Sequence, residues 1–212
     1  MFEFVDVTYE QVINIPKLVI QKGKVTTFIG VSGSGKSTVL KLLSKLISPT
    51  AGKILYDNTD IRQIDSVAYR RQVTLLSQTP AMFDSTIRDN LTIGHKFQQR
   101  PLPDEAALMG MLEMLKLSKP LNNPVMTLSG GEKQRLALGR ILLLEPEVCL
   151  LDEPSSALDT QTEQTIIELL TQRVKKSGKT LIMATHSKEM AQEYADTIVE
   201  FDGGSIQTRR SV

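Results

Sequence analysis

Gly30-Val31-Ser32-Gly33-Ser34-Gly35-Lys36-Ser37 is the stretch of this chain whose spacing carries most of the fold. The pattern is Gly, four residues, then Gly-Lys-Ser, which suits a loop that wraps a polyphosphate. Several backbone N–H groups must point inward at the anion, and glycine permits both the torsions and the close approach. Val25–Ile29 just before it is a short β-branched run, and Val39, Leu40, Leu42, Leu43 and Leu46 after it recur at helical spacing. Strand, Gly-rich loop, helix is an order that sets the positive end of a helix against the same anion. A flexible Gly/Ser linker would not stand between a β run and an amphipathic helix. The predicted phosphate cradle is therefore Gly30, Ser32, Gly33, Ser34, Gly35, Lys36, Ser37 and Thr38, with the Lys36 ammonium on the β- and γ-phosphates and the Ser37 hydroxyl on Mg²⁺.

Further along, Val148-Cys149-Leu150-Leu151-Asp152-Glu153 is an apolar strand that ends in two carboxylates. Ligands of open α/β sheets sit at such strand ends. Asp152 is placed to hold Mg²⁺ through its water shell, and Glu153 to polarise the water that attacks the γ-phosphate. Alternating residues from Phe2 to Tyr9, a β-rich stretch over Val12–Ile20, and the runs Gly52–Tyr56 and Val73–Leu76 are also predicted strands. After residue 145 the pattern alternates: strand Val148–Leu151, helix Thr160–Lys176, strand Thr180–Ala184, helix Lys188–Tyr194, strand Thr197–Phe201. Strands alternating with helices imply a mostly parallel sheet. Between them, Ala106, Ala107, Met109, Met111, Leu112, Met114, Leu115 and Leu117 form a predicted helical core stripe, begun by Pro103-Asp104-Glu105. The expected fold is α/β: a P-loop NTPase core with a mostly parallel sheet, N-terminal antiparallel β strands and an inserted α-helical subdomain. It is expected as one domain over 1–212, with the core in 1–84 and 145–212 and the inserted lobe over about 85–144.

Leu128-Ser129-Gly130-Gly131-Glu132-Lys133-Gln134-Arg135 selects the class. Ser129 can cap the helix that starts here, and Glu132 three residues on completes a capping box. Two consecutive glycines cost about 1 kcal/mol each relative to Ala within a helix, so a function that needs bare backbone near an anion explains them better than an ordinary cap. The run resembles the signature sequence of ABC ATPases. That resemblance implies that Ser129, Gly130, Gly131 and Glu132 meet an ATP held by a second chain. It matches Gln78 to the family's Q-loop glutamine, on Mg²⁺ and the attacking water. It matches Ser156-Ala157-Leu158-Asp159 to the D-loop, with Asp159 at the nucleotide, and His186 to the switch histidine on the γ-phosphate. Tyr9 matches the aromatic that stacks on adenine, a contact worth about 1–3 kcal/mol by analogy with base stacking. The implied cofactors are ATP and Mg²⁺. The implied partners are a second copy of the chain in an ATP sandwich and an integral membrane permease subunit.

Composition is compatible with this and narrows the alternatives. The 212 residues are 41% hydrophobic and 23% charged, with 25 Lys+Arg against 24 Asp+Glu and a net charge of +1. A nucleic-acid binder normally shows a basic excess or a basic face; here the pairs Arg70–Arg71, Lys175–Lys176 and Arg209–Arg210 are scattered, and no nucleic-acid partner is expected. The single Cys149 lies in an apolar run and reads as a small buried hydrophobe. His95 stands in no motif and is expected at the surface. Met1–Asp6 has no leader pattern and no run reaches about 18 apolar residues, so the expectation is a cytoplasmic chain, peripheral on the inner face of the cell membrane. Thr79–Leu91 resembles the same region of export-type ATPases, where Pro80, Met82 and Phe83 face either a membrane subunit or the lobe's own core. Asn122–Thr127 departs from the glycine-containing segment of fused exporters. Stand-alone ATPase subunits of two-component transporters are similar in size. A soluble assembly or repair ATPase is the alternative, although the long heptad insertions of repair members are missing.

Overall fold

The computed structural model describes residues 1–154 and 160–211, apart from the side chains of 160 and 161. The predicted D-loop, Asp159 included, lies outside the described residues.

The chain opens with β1 (Phe2–Tyr9), β2 (Ile13–Ile20) and β3 (Val25–Ile29), then α1 (Lys36–Leu43). Next come β4 (Ala51–Tyr56), β5 (Thr59–Asp60), α2 (Ser66–Gln72) and β6 (Val73–Leu76). Three helices follow before another strand: α3 (Ile87–Gln98), α4 (Glu105–Met114) and α5 (Gly130–Leu144). The chain then runs through β7 (Val148–Asp152), α6 (Thr160–Ser177), β8 (Thr180–Ala184), α7 (Lys188–Tyr194), β9 (Thr197–Asp202) and β10 (Ser205–Ser211).

These strands make two sheets. One is antiparallel, in the order β2-β1-β4-β5; the other runs β10-β9-β3-β8-β7-β6 and is parallel except for β10. Alternate residues of the parallel strands enter two separate cores, as sheets covered on both faces require. Val148 and Leu150 of β7 join Phe2, Phe4, Ile15 and the α1 leucines between the sheets. Cys149 and Leu151 join Leu91, Leu136 and Ile167 beneath the helices. Burial pushes the Cys149 thiol up to about 12, so it is an inert core residue.

Three expectations change, and the last strand carries no sequence signal. Leu46 is not on α1: Lys45 takes a left-handed torsion (φ 56), its N–H donates to Leu42 C=O and that of Leu46 to Lys41 C=O, so the helix closes in a Schellman turn and leaves Leu46 56% exposed. Only part of the 106–117 stripe is core. Leu108, Met111, Leu112 and Leu115 are buried, while Met109 on the other face of α4 is 50% exposed. His95 is buried, not at the surface, because it continues the i, i+4 stripe of Ile87 and Leu91 on α3; burial, with Arg100 nearby, holds its imidazole below its usual value. Finally, β10 had no apolar signal; its exposed polar residues pair with β9 through backbone alone.

The Gly203-Gly204 hairpin between β9 and β10 joins three parts of the fold. Gly204 N–H donates to Ser34 C=O (3.2 Å), and Gly204 C=O accepts from Asn14 N–H (3.0 Å). Its φ is 78, and a β-carbon there would come within 1.7 Å of the Val12 carbonyl oxygen. Gly204→Ala is expected to destabilise the chain by about 1–3 kcal/mol, seen as a lower midpoint in chemical or thermal unfolding; an unchanged midpoint would show that this hairpin does not hold the loop.

Candidate functional site

The phosphate-type loop joins β3 to α1. Gly30, Gly33 and Gly35 have φ of 148, 78 and 101, torsions that L side chains avoid. Lys36 is the first residue of α1 and is 5% exposed. Its Nζ donates to Gly30 C=O (2.7 Å), Val31 C=O (2.9 Å) and Ser34 Oγ (3.4 Å). Burial lowers the Lys36 pKa, against the upward pull of Glu153 and Asp152. The loop borders a cavity of about 440 Å³ lined by Val12, residues 32–38, Gln78, Glu153 and His186.

The carboxylates arrive from β7. Asp152, 6% exposed, accepts from Ser37 Oγ at 2.8 Å. Burial raises its pKa; the Ser37 hydroxyl opposes that rise and the Glu153 charge adds to it. Glu153 follows in a left-handed torsion, φ 47. Its N–H donates to Ala184 C=O (3.0 Å), its C=O accepts from Gln134 Nε2 (2.8 Å), and its Oε2 accepts from Gln78 Nε2 (2.7 Å). His186 is exposed and leaves the end of β8, where Thr185 N–H donates to Phe28 C=O (3.0 Å). The donor set fits Mg²⁺: a hydroxyl and a carboxylate stand in contact beside the loop, all ligating atoms are oxygen, and no group of three or more His, Cys, Asp or Glu suited to caging a metal occurs among the described residues. Mg²⁺ bound with a nucleotide takes few carboxylates and completes its shell with phosphate and water.

Other sequence-derived candidates stand apart. Gly30 turns its carbonyl toward Lys36 and borders a neighbouring cavity of about 520 Å³, which His186 shares. Tyr9 ends β1 and does not line the loop cavity; it is linked to it through Val12, whose N–H donates to Tyr9 C=O at 3.0 Å. Ser129, Gly130, Gly131 and Glu132 form the N-terminal turn of α5 and do not border the loop cavity either. The capping box is present: Glu132 N–H donates to Ser129 Oγ (3.3 Å) and Ser129 N–H to Glu132 Oε2 (2.8 Å). That backbone bond holds the Glu132 carboxyl below its usual value. Ser129 and Gly130 are exposed, and a β-carbon on Gly130 would meet nothing within 4 Å.

Two residues at the site were given no role by the sequence, although Gln134 stands within the Leu128–Arg135 run. Val12 gave no signal. Gln134 had one: it is a polar residue in phase with Leu138 and Ile141 on the apolar stripe of α5. A roomier groove, about 1110 Å³, runs along α4 and residues 116–122; its lining includes the Arg88–Glu105 ion pair (3.1 Å) and none of the predicted site residues, which the smaller cavity gathers.

The profile of the ABC transporter family matches residues 13–156. The chain is 41% identical over 198 residues to rice (Oryza sativa subsp. japonica) Protein STAR1, covering 93% of this chain and 57% of that protein. It is 34% identical over 203 residues to FetA of Escherichia coli (strain K12), named a probable iron export ATP-binding protein, covering 94% of this chain and 89% of FetA. Among solved structures, the dimeric post-hydrolysis ATP-binding cassette MJ0796 with ADP and Pi superposes with a TM-score of 0.88 at 27% identity, covering 100% of this chain and 98% of that one.

The raised Asp152 pKa has a consequence for stability. Between the ordinary carboxylate value and the raised one, the folded chain binds more protons than the unfolded chain, so stability falls as pH rises through that window. Asp152→Asn, measured without nucleotide and with EDTA, is expected to raise Tm at pH 7. The gain should vanish below the ordinary carboxylate range; a gain that persists there would assign it to packing.

Proposed function

The chain belongs to the ABC transporter family of ATP-binding proteins, and from that membership we propose that it binds and hydrolyses ATP as the nucleotide-binding subunit of a transporter. The observation that carries this reading is the meeting of residues 32–38, Gln78, Glu153 and His186 around one cavity. The backbone of the loop and the Lys36 ammonium hold the β- and γ-phosphates. Glu153 takes the proton of the attacking water, and Gln78, already bonded to its carboxylate, orients that water. His186 hydrogen-bonds the γ-phosphate. Ser37, Gln78 and Asp152 are the residues that would hold Mg²⁺, which would supply charge neutralisation at the phosphate oxygens. Tyr9 stacks on the adenine, and Asp159 belongs to the same nucleotide interface.

The turn at Ser129–Glu132 does not border its own chain's loop, so a bare helix N-terminus is left for an anion held elsewhere. A second copy of the chain supplies that anion, each copy's signature turn meeting the other's phosphate loop. ATP then glues the pair, and loss of the γ-phosphate loosens it, a ligand-dependent population shift.

Residues 85–144 act as the inserted lobe between core segments 1–84 and 145–212. No helix among the described residues is long and apolar enough to cross a membrane; in this reading a separate permease supplies the pathway, and this chain sits on the inner face of the membrane. Phe83, just before the lobe, and Phe97 on α3, 39% and 67% exposed and packed edge to face at 6.0 Å, offer an apolar contact to it. Cargo is chosen by that permease.

Glu153→Gln is expected to keep ATP binding, slow hydrolysis by about 10²–10⁴-fold and trap an ATP-bound dimer in gel filtration; wild-type turnover in this variant would remove Glu153 from the base role. Affinity purification of the tagged chain from detergent-solubilised membranes should bring down a multi-span membrane protein in stoichiometric amount. Soluble partners alone would move the assignment to an assembly-type ATPase.

A further inference from the structure

Glu153 adopts φ 47, a left-handed torsion that residues bearing a β-carbon rarely take. Pro154 follows it and narrows its choice of torsions further. A backbone so placed persists only where its surroundings over-determine it. Both peptide groups of Glu153 are in fact held: the N–H by Ala184 C=O at the end of β8 (3.0 Å), and the C=O by Gln134 Nε2 (2.8 Å). Gln134 is 2% exposed, in the second turn of α5, where its stripe neighbours Leu138 and Ile141 are apolar. A hydrophobic side chain would fill that position without needing a partner; glutamine brings a donor, and the donor reaches the backbone of Glu153.

We propose that Gln134 is a positioning residue for Glu153. By fixing the Glu153 carbonyl it holds the left-handed turn that aims the carboxylate at Gln78 and the cavity. It also ties that aim to α5, whose N-terminal turn is the surface offered to the second chain. The inference rests on Glu153 acting as the base, and deepens that reading.

Gln134→Met keeps the length and helical preference of the side chain and removes the donor. In the full-length protein, single-turnover ATP hydrolysis is expected to fall about 10- to 100-fold, the loss that a displacement near 1 Å brings to a positioned group. Kd for ATP and Tm should stay close to wild type, and Q134M combined with Glu153→Gln should still form the ATP-dependent dimer. Gln134→Asn, which withdraws the amide by one methylene, gives the same comparison if Q134M does not fold. Hydrolysis within about twofold of wild type in either folded variant would overturn the proposal. So would a loss of rate matched by equal losses of ATP affinity and thermal stability, or failure of both variants to fold, since each assigns Gln134 to structure alone. Wild-type protein that binds ATP without hydrolysing it would instead overturn the reading of Glu153, and this inference with it.

Discussion

Every residue of β3, β7 and β8 is buried, and a strand covered on both faces has no room along its length for an unpaired charge. Polar chemistry is therefore pushed to the strand ends. Because these strands are parallel and in register, with Phe28 and Asp152 both opposite Ala184 and Leu76 opposite Leu151, their ends coincide. Gly30 follows β3, Gln78 lies just beyond β6, Asp152 ends β7 and Glu153 follows it, and His186 lies just beyond β8. One hydrogen-bonded ladder thus turns four distant stretches of sequence into a single cavity. Helices cover one face of the sheet, and α1 with the antiparallel sheet covers the other, so the polar groups gather at the strand ends.

The same burial loads the cavity with tension. It works against the charge on Lys36 and against the charge on Asp152, and each is held in place by specific bonds: Lys36 by two loop carbonyls and Ser34, Asp152 by Ser37. Groups fixed in advance need little reorganisation when a substrate arrives, which is where electrostatic catalysis draws its advantage. The corollary is a site that is less stable than an uncharged version of itself.

Motifs with a strict local geometry were legible in the sequence. The Gly-rich loop, the carboxylates after an apolar strand and the capping box each require particular residues at particular spacings, and Lys36, Asp152 and the Ser129–Glu132 cap stand in the local settings those patterns imply. The ends of β8 and α7 were also readable, since a short apolar run and a Ser187-capped helix are each sharply bounded. What sequence could not supply was the face each helix turns to its neighbours. Met109 and His95 exchange the roles their chemistry suggests because α4 and α3 present particular sides to α5. Val12 lies beside both the loop glycine Gly35 and Gly204 of the hairpin, contacts between residues far apart in the chain. Strand β10 is made by backbone pairing, which leaves no mark on side-chain pattern.

Helix α5 brings these threads together. Its first turn is capped, Ser129 and Gly130 are exposed, and the turn does not border this chain's own loop cavity. One turn further in, Gln134 grips the backbone of Glu153. The same fifteen-residue helix, packed against α3 and α4, carries the Ser129 turn at its start and the Gln134 contact to the Glu153 carbonyl one turn on. In the two-chain assembly proposed above, that turn is drawn toward the partner's nucleotide, while Glu153 serves the nucleotide in its own loop. The helix is then shared by two reaction centres, and the geometry of each base is tied to engagement at the other. Coupling of this kind needs no long relay, only a short rigid element with a different contact at each end.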